Sequence, residues 1–248
     1  MRLLLYNIRY GLGLGSALHW PLPGMGYLLG NRTNLPRITD FIKSQDPDVV
    51  GLIEVDTGSI RTRNVNQADV IARALGHYSV YQCKYGAGSL NHRLPILRKQ
   101  GNAFLAAPRV HGERFHYFDK GIKRLIIELE LEECAIFLVH LSLKFRHRHT
   151  QLQHLHDLVM ASRKPVIVAG DFNSKGVGKV FVAAGYAWPT ENVGKSISLF
   201  SYDHVFVRGL AEGDRLEAAG VAREATAASD HRPVWATLLL EPVRLGSH

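Results

Sequence analysis

The sequence predicts an α/β protein in which two mixed β-sheets pack face to face with helices on the outside, in one domain over residues 1–248. Short apolar runs rich in β-branched residues alternate with helical patterns in the first half of the chain, and such runs are typical of buried strands. In the second half, two alternating segments adjoin at 124–131 and 134–141, which predicts a β-hairpin. With 46% hydrophobic and 21% charged residues, the chain can bury a large core.

The remaining elements follow from the same patterns. Apolar residues at helical spacing predict a helix over 34–44, with Asn34 as N-cap and Pro36 in the first turn. Further helices are expected at 67–75, 148–161 and 179–184. Further strands are expected at 2–8, 48–53, 77–83, 101–107, 202–207 and 233–240.

The stretch PVIVAGDFNS at 165–174 organises the prediction. Its apolar run 166–169 is expected to be a central strand that Gly170 ends. Asp171 and Asn173 follow two residues apart, so their side chains are expected on one side of the backbone. The carboxyl end of a core strand is where α/β proteins place their chemistry. The same Gly-Asp-x-Asn pattern also occurs in ordinary polar turns.

Five further motifs accompany GDFNS in a fixed order: YNIRYG at 6–11, DPDVVGLIEVD at 46–56, VHLS at 139–142, SYDHVFV at 201–207 and SDHRPV at 229–234. The set resembles the endonuclease/exonuclease/phosphatase superfamily, which includes DNase I, exonuclease III, neutral sphingomyelinases and inositol polyphosphate 5-phosphatases. The resemblance runs from Leu3 to about Leu238 and is nearer the sphingomyelinase-like and uncharacterised bacterial branches than the abasic-site enzymes. It implies the DNase I-like four-layer α/β sandwich.

Hydrolysis of a phosphate ester requires charge neutralisation and an activated water. Glu54, at a strand end, offers the hard oxygen ligand that Mg²⁺ prefers. The resemblance implies that Asn7 and Asp230 complete or support this metal site, with Mn²⁺ as an alternative ion. Asp56 is expected to support the site only indirectly.

The resemblance also assigns five catalytic residues. His231 acts at the phosphate, and Asp203 orients it; an imidazole titrates near neutrality and can donate or exchange a proton. His140 contacts the phosphate or assists the leaving group, although a core histidine at a strand end is the alternative. Asp171 aligns or deprotonates the water, or holds a second metal ion, while Asn173 donates to a phosphoryl oxygen. Either Asp171 or the Asp203–His231 pair is the base.

Three further residues are assigned more loosely. Arg148 resembles a family arginine near the phosphate, with Arg146 as a competitor. Asn102 lies in a Gly-Asn-Ala run that is common in the family and is interpreted as substrate-binding. His204 alternates with Asp203 along its strand, so it is expected on the opposite face in a structural role.

Charge favours a polyanionic partner. The chain carries 30 basic and 22 acidic residues, a net charge of +8, and its pI is about 9.6. Such an excess favours nucleic acid, phosphorylated small molecules or an anionic membrane surface. Basic residues concentrate at 84–99 and 144–149. The predicted function is metal-assisted hydrolysis of a phosphodiester in nucleic acid. The alternative is a phosphodiesterase or phosphatase acting on a phospholipid head group or a small phosphorylated metabolite, and a non-catalytic binding module is a third hypothesis.

The segment 11–33 is an apolar loop rich in Gly and Pro. Because it follows the strand that carries Asn7, it is expected at the rim of the site. There it forms either a lipid-contacting flap or a packed surface loop.

The two cysteines, Cys83 and Cys134, lie in predicted strands and are expected to be buried free thiols in a reducing compartment. Site residues begin at position 7, which leaves no room for a signal peptide, and the sequence contains no apolar run long enough to span a bilayer. A cytoplasmic location is therefore expected.

Overall fold

A computed structural model of the protein describes residues 1–13, 34–84, 94–119, 121, 123–197, 200–223 and 228–241. The strands are β1 (Arg2–Asn7), β2 (Val49–Asp56), β3 (Tyr78–Cys83), β4 (Gln100–Ala106), β5 (Gly112–Tyr117), β6 (Leu125–Glu130), β7 (Ala135–His140), β8 (Val166–Asp171), β9 (Asp203–Arg208), β10 (Arg215–Val221) and β11 (Val234–Leu239). The helices are α1 (Asn34–Ser44), α2 (Gln67–Leu75), α3 (Phe145–Met160) and α4 (Val177–Ala183).

The strands form two mixed sheets. The first has the order β10-β11-β1-β2-β4-β3, and the second has the order β5-β6-β7-β8-β9. In each sheet one central pair is parallel, β1 with β2 and β7 with β8, and the other pairs are antiparallel. Both predicted features, the mixed sheets and the 124–141 hairpin, are confirmed.

Alternation along the strands builds the inner core. Leu3 and Leu5 of β1 lie in one buried cluster with Leu138 of β7 and Ala169 of β8. Their intervening neighbours, such as Leu4, face away from the second sheet because side chains of a strand alternate between its faces. Two sheets therefore share one apolar layer.

Helices cover both outer faces. Ile38 and Ile42 of α1 pack with Ile71 of α2 on the first sheet. Leu155 of α3 and Phe181 of α4 pack on the second sheet. The resulting order, helix-sheet-sheet-helix, is the four-layer sandwich that was predicted.

The register brings polar residues to one end of the inner layer. His140, Asp171 and Asp203 are direct partners across β7, β8 and β9. Each lies two residues from a member of the inner core, so each faces the first sheet. Asn7 lies two residues beyond Leu5 and faces the second sheet for the same reason.

Two strands were missed by the sequence analysis, β5 and β10. Both are edge strands with mostly exposed or half-buried side chains, so they lack the apolar alternation on which a strand prediction depends. Helix boundaries also differ: α3 begins at Phe145 rather than at 148, and α4 begins at Val177 rather than at 179. Asn34 is the first residue of α1 and donates its side-chain amide to the Gly11 carbonyl, 3.2 Å away, instead of capping the helix.

The predicted strand break at Gly170 is wrong. Gly170 lies within β8 and pairs with Val139 and His204. A Cβ at this position would lie 2.2 Å from the Val139 carbonyl oxygen. Glycine is required here by a close backbone approach, not by a turn.

The two thiols differ in environment. Cys134 is buried, and Cys83 is only half-buried, so the prediction of two buried thiols holds for Cys134 alone. Burial, with a smaller effect of Glu133, raises the pKa of Cys134 to about 12.

Most of the segment 11–33 lies outside the described residues, as do residues 85–93 of the basic segment. The location of the flap at the rim of the site and the role of the basic segment in binding a polyanion therefore remain predictions. No helix among the described residues is long and apolar enough to cross a membrane.

We expect Gly170→Ala to lower the free energy of unfolding by about 1–3 kcal/mol, because overpacking against backbone atoms forces strands β7 and β8 apart. Denaturant unfolding of purified protein measures this change. Gly112→Ala is the matched control within a strand, since a Cβ there would meet only the Glu130 carboxylate at 3.8 Å. Equal losses in both variants would contradict the close-approach argument.

Candidate active site

Asp171 is the most densely contacted carboxylate at the end of the inner layer. Its Oδ2 accepts from Asn7 Nδ2 at 3.3 Å and lies 3.2 Å from His140 Nε2. Its Oδ1 accepts the Asn173 backbone N–H at 3.0 Å. Burial disfavours the charge, yet His140, His231 and Lys123 together lower the pKa of Asp171. Asp171 is therefore a carboxylate held in place from both sheets.

His140 is a buried, neutral imidazole. Its Nε2 contacts both Asp171 and the Lys123 ammonium, and its Nδ1 lies 4.0 Å from Glu54 Oε1. Burial and the adjacent Lys123 charge lower the pKa of His140 to about 4, against an opposing effect of Asp171. Although it is buried, its neighbours are charged site residues rather than apolar core, which favours the functional interpretation over a core histidine.

Asp203 and His231 form the pair that was expected from their motifs. His231 Nδ1 lies 2.7 Å from Asp203 Oδ2, and the backbone N–H of Asp203 donates to Ser196 Oγ. Burial disfavours the charged ring, but the carboxylates of Asp203, Asp171 and Asp230 raise the pKa of His231 to about 10. The pair is an imidazolium–carboxylate ion pair at neutral pH.

Asn173 lies at the turn after β8 with a positive φ of 49°. Its Nδ2 donates to the Leu141 carbonyl at 3.0 Å, in the segment that follows His140. An amide nitrogen carries two hydrogens, so one remains for a ligand. The left-handed backbone is sparsely populated for a residue other than glycine, and such strain clusters at functional sites.

Glu54 reaches the site through a β-bulge. The register between β2 and β4 shifts between Leu52 and Val55, and Glu54 has a positive φ of 58°. In a regular strand Glu54 would face away from Ile53, which lies in the inner core, but the bulge turns its carboxylate toward His140 in the second sheet. Asn102 stabilises this backbone by accepting the Glu54 N–H at 3.3 Å.

Asn102 was predicted to bind substrate, and its side chain is only 1% exposed. Its hydrogen bond to the backbone of Glu54 positions that residue, and substrate binding by Asn102 stays a prediction. Its Nδ2 has no hydrogen-bond partner within the described residues.

The residues predicted to hold a metal ion offer oxygen ligands of the kind that Mg²⁺ prefers. No described residue donates a hydrogen bond to the Glu54 carboxylate, although it is only 14% exposed. A buried carboxylate requires compensation, so its environment fits a cation. Asn7 Oδ1 accepts the Arg9 N–H at 3.1 Å and keeps a second lone pair. Asp230 is 43% exposed and pairs with Arg9 at 3.2 Å.

A second grouping lies beside these residues. The ligand atoms of Asp171, Asp203 and His231 all lie within 4.8 Å of one another, the one such cluster of three or more acidic, histidine or cysteine side chains in the described ranges. It does not include Glu54. Because His231 Nδ1 is paired with Asp203, we interpret this cluster as the catalytic group and not as the metal site.

Sequence reasoning missed Lys84 and Lys123 as site residues. Lys84 follows β3, which runs in the direction of β2 since both are antiparallel to β4. Its ammonium therefore emerges at the edge that carries Glu54. Lys123 precedes β6, which is antiparallel to β7, and so lies beside His140. Strand direction, the rule that identified Glu54, would have found both.

Ser229 was missed as an anchor of the last motif. Its hydroxyl donates to the Asn7 carbonyl at 2.7 Å and accepts the backbone N–H of His231 at 3.2 Å. These bonds fix the loop before β11 against the end of β1. A serine before Asp-His is a cue for such an anchor, since its hydroxyl can bond to nearby backbone groups.

Arg148 lies at the border of the site. Its Nη1 donates to the carbonyls of Ser142 and Leu143, at 3.0 Å each. It also lines a largely apolar cavity of about 480 Å³ between α3 and α4, together with Ser174. The side chain of its competitor Arg146 makes no such hydrogen bond with the loop after β7 among the described residues.

His204 and Asp56 are structural. His204 packs beside Phe172 and accepts from Trp188 Nε1 at 3.4 Å, on the face opposite Asp203, as predicted. Asp56 is fully buried and paired with Arg61 at 2.7 Å. It also accepts the backbone N–H groups of residues 58 and 59. Asp56 thus fixes the loop that follows Glu54.

Replacing the anionic acceptor of His231 should release its proton. In Asp203→Asn we expect the pKa of His231 to fall from about 10 toward the unperturbed value of about 6.5, so that the ring becomes neutral at pH 8. Titration of the histidine ring NMR signals measures this, with His231→Gln identifying the resonance. Glu128→Gln, which removes the carboxylate of a distant His116 pair, is the control. An unchanged His231 titration in Asp203→Asn would contradict the ion pair.

Comparison with known proteins identifies the family. The model of the Endonuclease/Exonuclease/phosphatase family matches residues 4–231. No curated protein matches the chain.

Solved structures share the fold at low identity. An endonuclease/exonuclease/phosphatase from Beutenbergia cavernae has a TM-score of 0.70 and 19% identity, over 97% of this chain and 71% of that chain. The human Nocturnin catalytic domain with bound sulfate has a TM-score of 0.70 and 17% identity, over 97% of this chain and 93% of that chain. A mannosyl-6-phosphatase from Bacteroides thetaiotaomicron has a TM-score of 0.69 and 18% identity, over 96% of this chain and 99% of that chain. These likenesses show the fold, and the family match over most of the sequence shows that the chain belongs to the endonuclease/exonuclease/phosphatase family.

Proposed function

We propose that this protein is a divalent-metal-dependent phosphoester hydrolase whose site lies at the open end of the layer between the two sheets. The observation that carries this proposal is the convergence of polar groups from both sheets: Asn7 and His140 contact Asp171 directly. The ligand atoms of the Asp203–His231 pair lie within 4.8 Å of that of Asp171. Family membership supports the same reaction class.

Glu54 is the proposed anchor for the metal ion, with Asn7 and Asp230 completing or supporting its ligand set. A bound Mg²⁺ or Mn²⁺ would neutralise charge on the phosphoryl group and on the oxygen that departs. The chain contributes the geometry: the bulge at Glu54 and its bond to Asn102 hold the carboxylate in one orientation.

Asp171 orients the attacking water. Its pKa is held low, so it is an acceptor at neutral pH, and its contacts with Asn7 and His140 fix its direction. We propose that its main contribution is alignment of the water for in-line attack. In this proposal Asp171, and not the Asp203–His231 pair, acts on the attacking water.

His231 and Asn173 stabilise the phosphoryl oxygens. His231 Nδ1 is committed to Asp203, which leaves the Nε2–H of the imidazolium as a donor to phosphate. Asn173 adds its second amide hydrogen. Donors held in place before the reaction stabilise the charge that develops in the transition state.

The bond changes are those of simple hydrolysis. The water oxygen forms a bond to phosphorus while the bond from phosphorus to the ester oxygen breaks. The water releases a proton, and the departing oxygen takes one up to become an alcohol. His140, between Asp171 and Lys123, is the group proposed to assist at the departing oxygen.

The net charge of the protein and the position of its lysines limit the class of substrate that we propose. The net charge of +8 supports a polyanion, and nucleic acid was the first prediction. Lys84, the described residue at the start of the basic segment, is buried in the site rather than exposed along a binding surface. This favours the alternative, a smaller phosphorylated compound; one structural neighbour is named as a mannosyl-6-phosphatase.

Removing the Glu54 carboxylate should weaken the binding of the metal ion. We expect Glu54→Gln, which keeps the side-chain length, to weaken Mg²⁺ or Mn²⁺ binding at least about tenfold and to abolish metal-supported hydrolysis of a phosphate ester. Calorimetric titration with Mn²⁺ measures the affinity directly. Glu130→Gln, at the distant Arg114 and Lys164 pairs, is the control.

Unchanged Mn²⁺ affinity in Glu54→Gln would overturn the assignment of Glu54. An ion found more than about 5 Å from Glu54 in a metal-soaked crystal would do the same, since a direct ligand lies roughly 2 Å away. Absence of metal-supported hydrolysis in the unmodified protein, on nucleic acid and on small esters alike, would overturn the proposed function itself.

A further inference from the structure

A buried lysine, Lys84, lies near the proposed metal ligand Glu54 and 5.3 Å from the centroid of the Tyr10 ring. Its side chain is 5% exposed, and its Nζ donates to Tyr10 Oη at 3.2 Å. An ammonium has three donors, and the described residues supply this one hydrogen-bond acceptor. Two of its three N–H groups thus have no acceptor among the described residues, and a ligand with negative charge would supply one.

Neighbouring groups hold the Lys84 side chain in place. The Tyr10 ring that holds it has the Arg61 guanidinium 4.9 Å from its centroid. Arg61 is in turn paired with buried Asp56 at 2.7 Å, and the Tyr10 carbonyl accepts from Gln67 at 2.9 Å. Lys84 is thus part of a fixed network and does not belong to a solvated basic surface.

Lys123 supplies a second ammonium. Its Nζ contacts His140 Nε2, and its carbonyl is held by Gln151 Nε2 at 2.7 Å. Burial raises the pKa of Glu54, but the neighbouring basic groups, Lys84 first and then His140 and Lys123, outweigh it and lower that pKa. Both lysines therefore act electrostatically on the carboxylate that is proposed to hold the metal.

The charges of this part of the site balance before any metal or substrate binds. Three carboxylates face three cations: the acids are buried Asp171 and Asp203 and the 14% exposed Glu54, and the cations are Lys84, Lys123 and His231. The fourth acid, Asp230, is paired with Arg9. A divalent metal ion would leave two surplus positive charges among the described groups. A phosphomonoester carries close to two negative charges at neutral pH, since its second pKa is about 6, and a phosphodiester carries one.

We propose that Lys84 and Lys123 bind the non-bridging oxygens of a terminal phosphate and make this protein selective for phosphomonoesters over phosphodiesters. The inference rests on the proposed function, because it assigns the substrate class of the same site. Ammonium groups act as point charges toward phosphate, so each lysine contributes most where the phosphate carries its second charge. The products are then an alcohol and inorganic phosphate.

Two esters with the same departing group test the selectivity: p-nitrophenyl phosphate and bis(p-nitrophenyl) phosphate, with Mg²⁺ at pH 7.5. We expect the unmodified protein to prefer the monoester in kcat/KM. Lys84→Gln and Lys123→Gln should each lower the monoester value about 10- to 100-fold, as expected for loss of a hydrogen bond to a charged group, and change the diester value far less. Lys43→Gln, at an exposed position on α1, should change neither.

Binding of inorganic phosphate gives a readout apart from turnover. Phosphate should raise the melting temperature of the unmodified protein and of Lys43→Gln, since a ligand of the native state stabilises it, and raise that of Lys123→Gln less. Tyr10→Phe, which removes only the hydroxyl that holds Lys84, replaces Lys84→Gln if that variant fails to fold.

The outcomes separate this inference from the proposed function. Preference for the diester, or equal losses on both esters in the lysine variants, would overturn phosphomonoester selectivity while leaving the hydrolase intact. Equal phosphate stabilisation in the unmodified protein and in Lys123→Gln would also overturn it, whether or not either ester is turned over. Failure of the unmodified protein to hydrolyse any phosphate ester with metal counts against the proposed function instead.

Discussion

A charged carboxylate at the end of an apolar layer is the constraint on which this site depends. Asp171 extends from a strand whose inner residues are fully buried, so its charge must be compensated by neighbouring groups. The compensation comes from both sheets: Asn7 from the first, and His140 and the Asn173 backbone from the second. Packing of the sheets and assembly of the site are therefore one event, because the sandwich cannot close without bringing these groups together.

The well-packed core also maintains strained backbone at two site residues. Glu54 and Asn173 both adopt left-handed backbone conformations, which cost free energy for residues with a Cβ. Each is held by a hydrogen bond from the well-packed core, Glu54 by Asn102 and Asn173 by the Leu141 carbonyl. A rigid sandwich can maintain such strained positions, and at Glu54 the strained backbone turns the carboxylate toward His140.

Much of this arrangement could be predicted from the sequence because it depends on alternation and strand direction. Those rules predicted the central strands and placed Asp171 at the end of one of them, whereas the resemblance to the family grouped His140 and Asp203 with it. They failed where side chains carry no apolar pattern, as in β5 and β10. They also failed at Gly170, where the reason for glycine is the Val139 carbonyl on another strand, and at the bulge of Glu54, which depends on its pairing with β4.

The lysines show the limit of motif-based prediction. Lys84 stands at the start of a segment whose basic composition favoured a polyanionic partner, and only the tertiary contact with Tyr10 reveals that it turns inward. Tyr10 lies in the first motif and Arg61 follows the second, so residues far apart in the chain define the position of one ammonium group. The motif residues Asp171, His140 and Asp203 lie at strand ends, whereas the proposed selectivity between phosphate esters depends on two lysines that lie outside the strands. In this protein the same network that buries Lys84 also anchors the loop after Glu54, which couples the proposed metal ligand to the proposed phosphate contact.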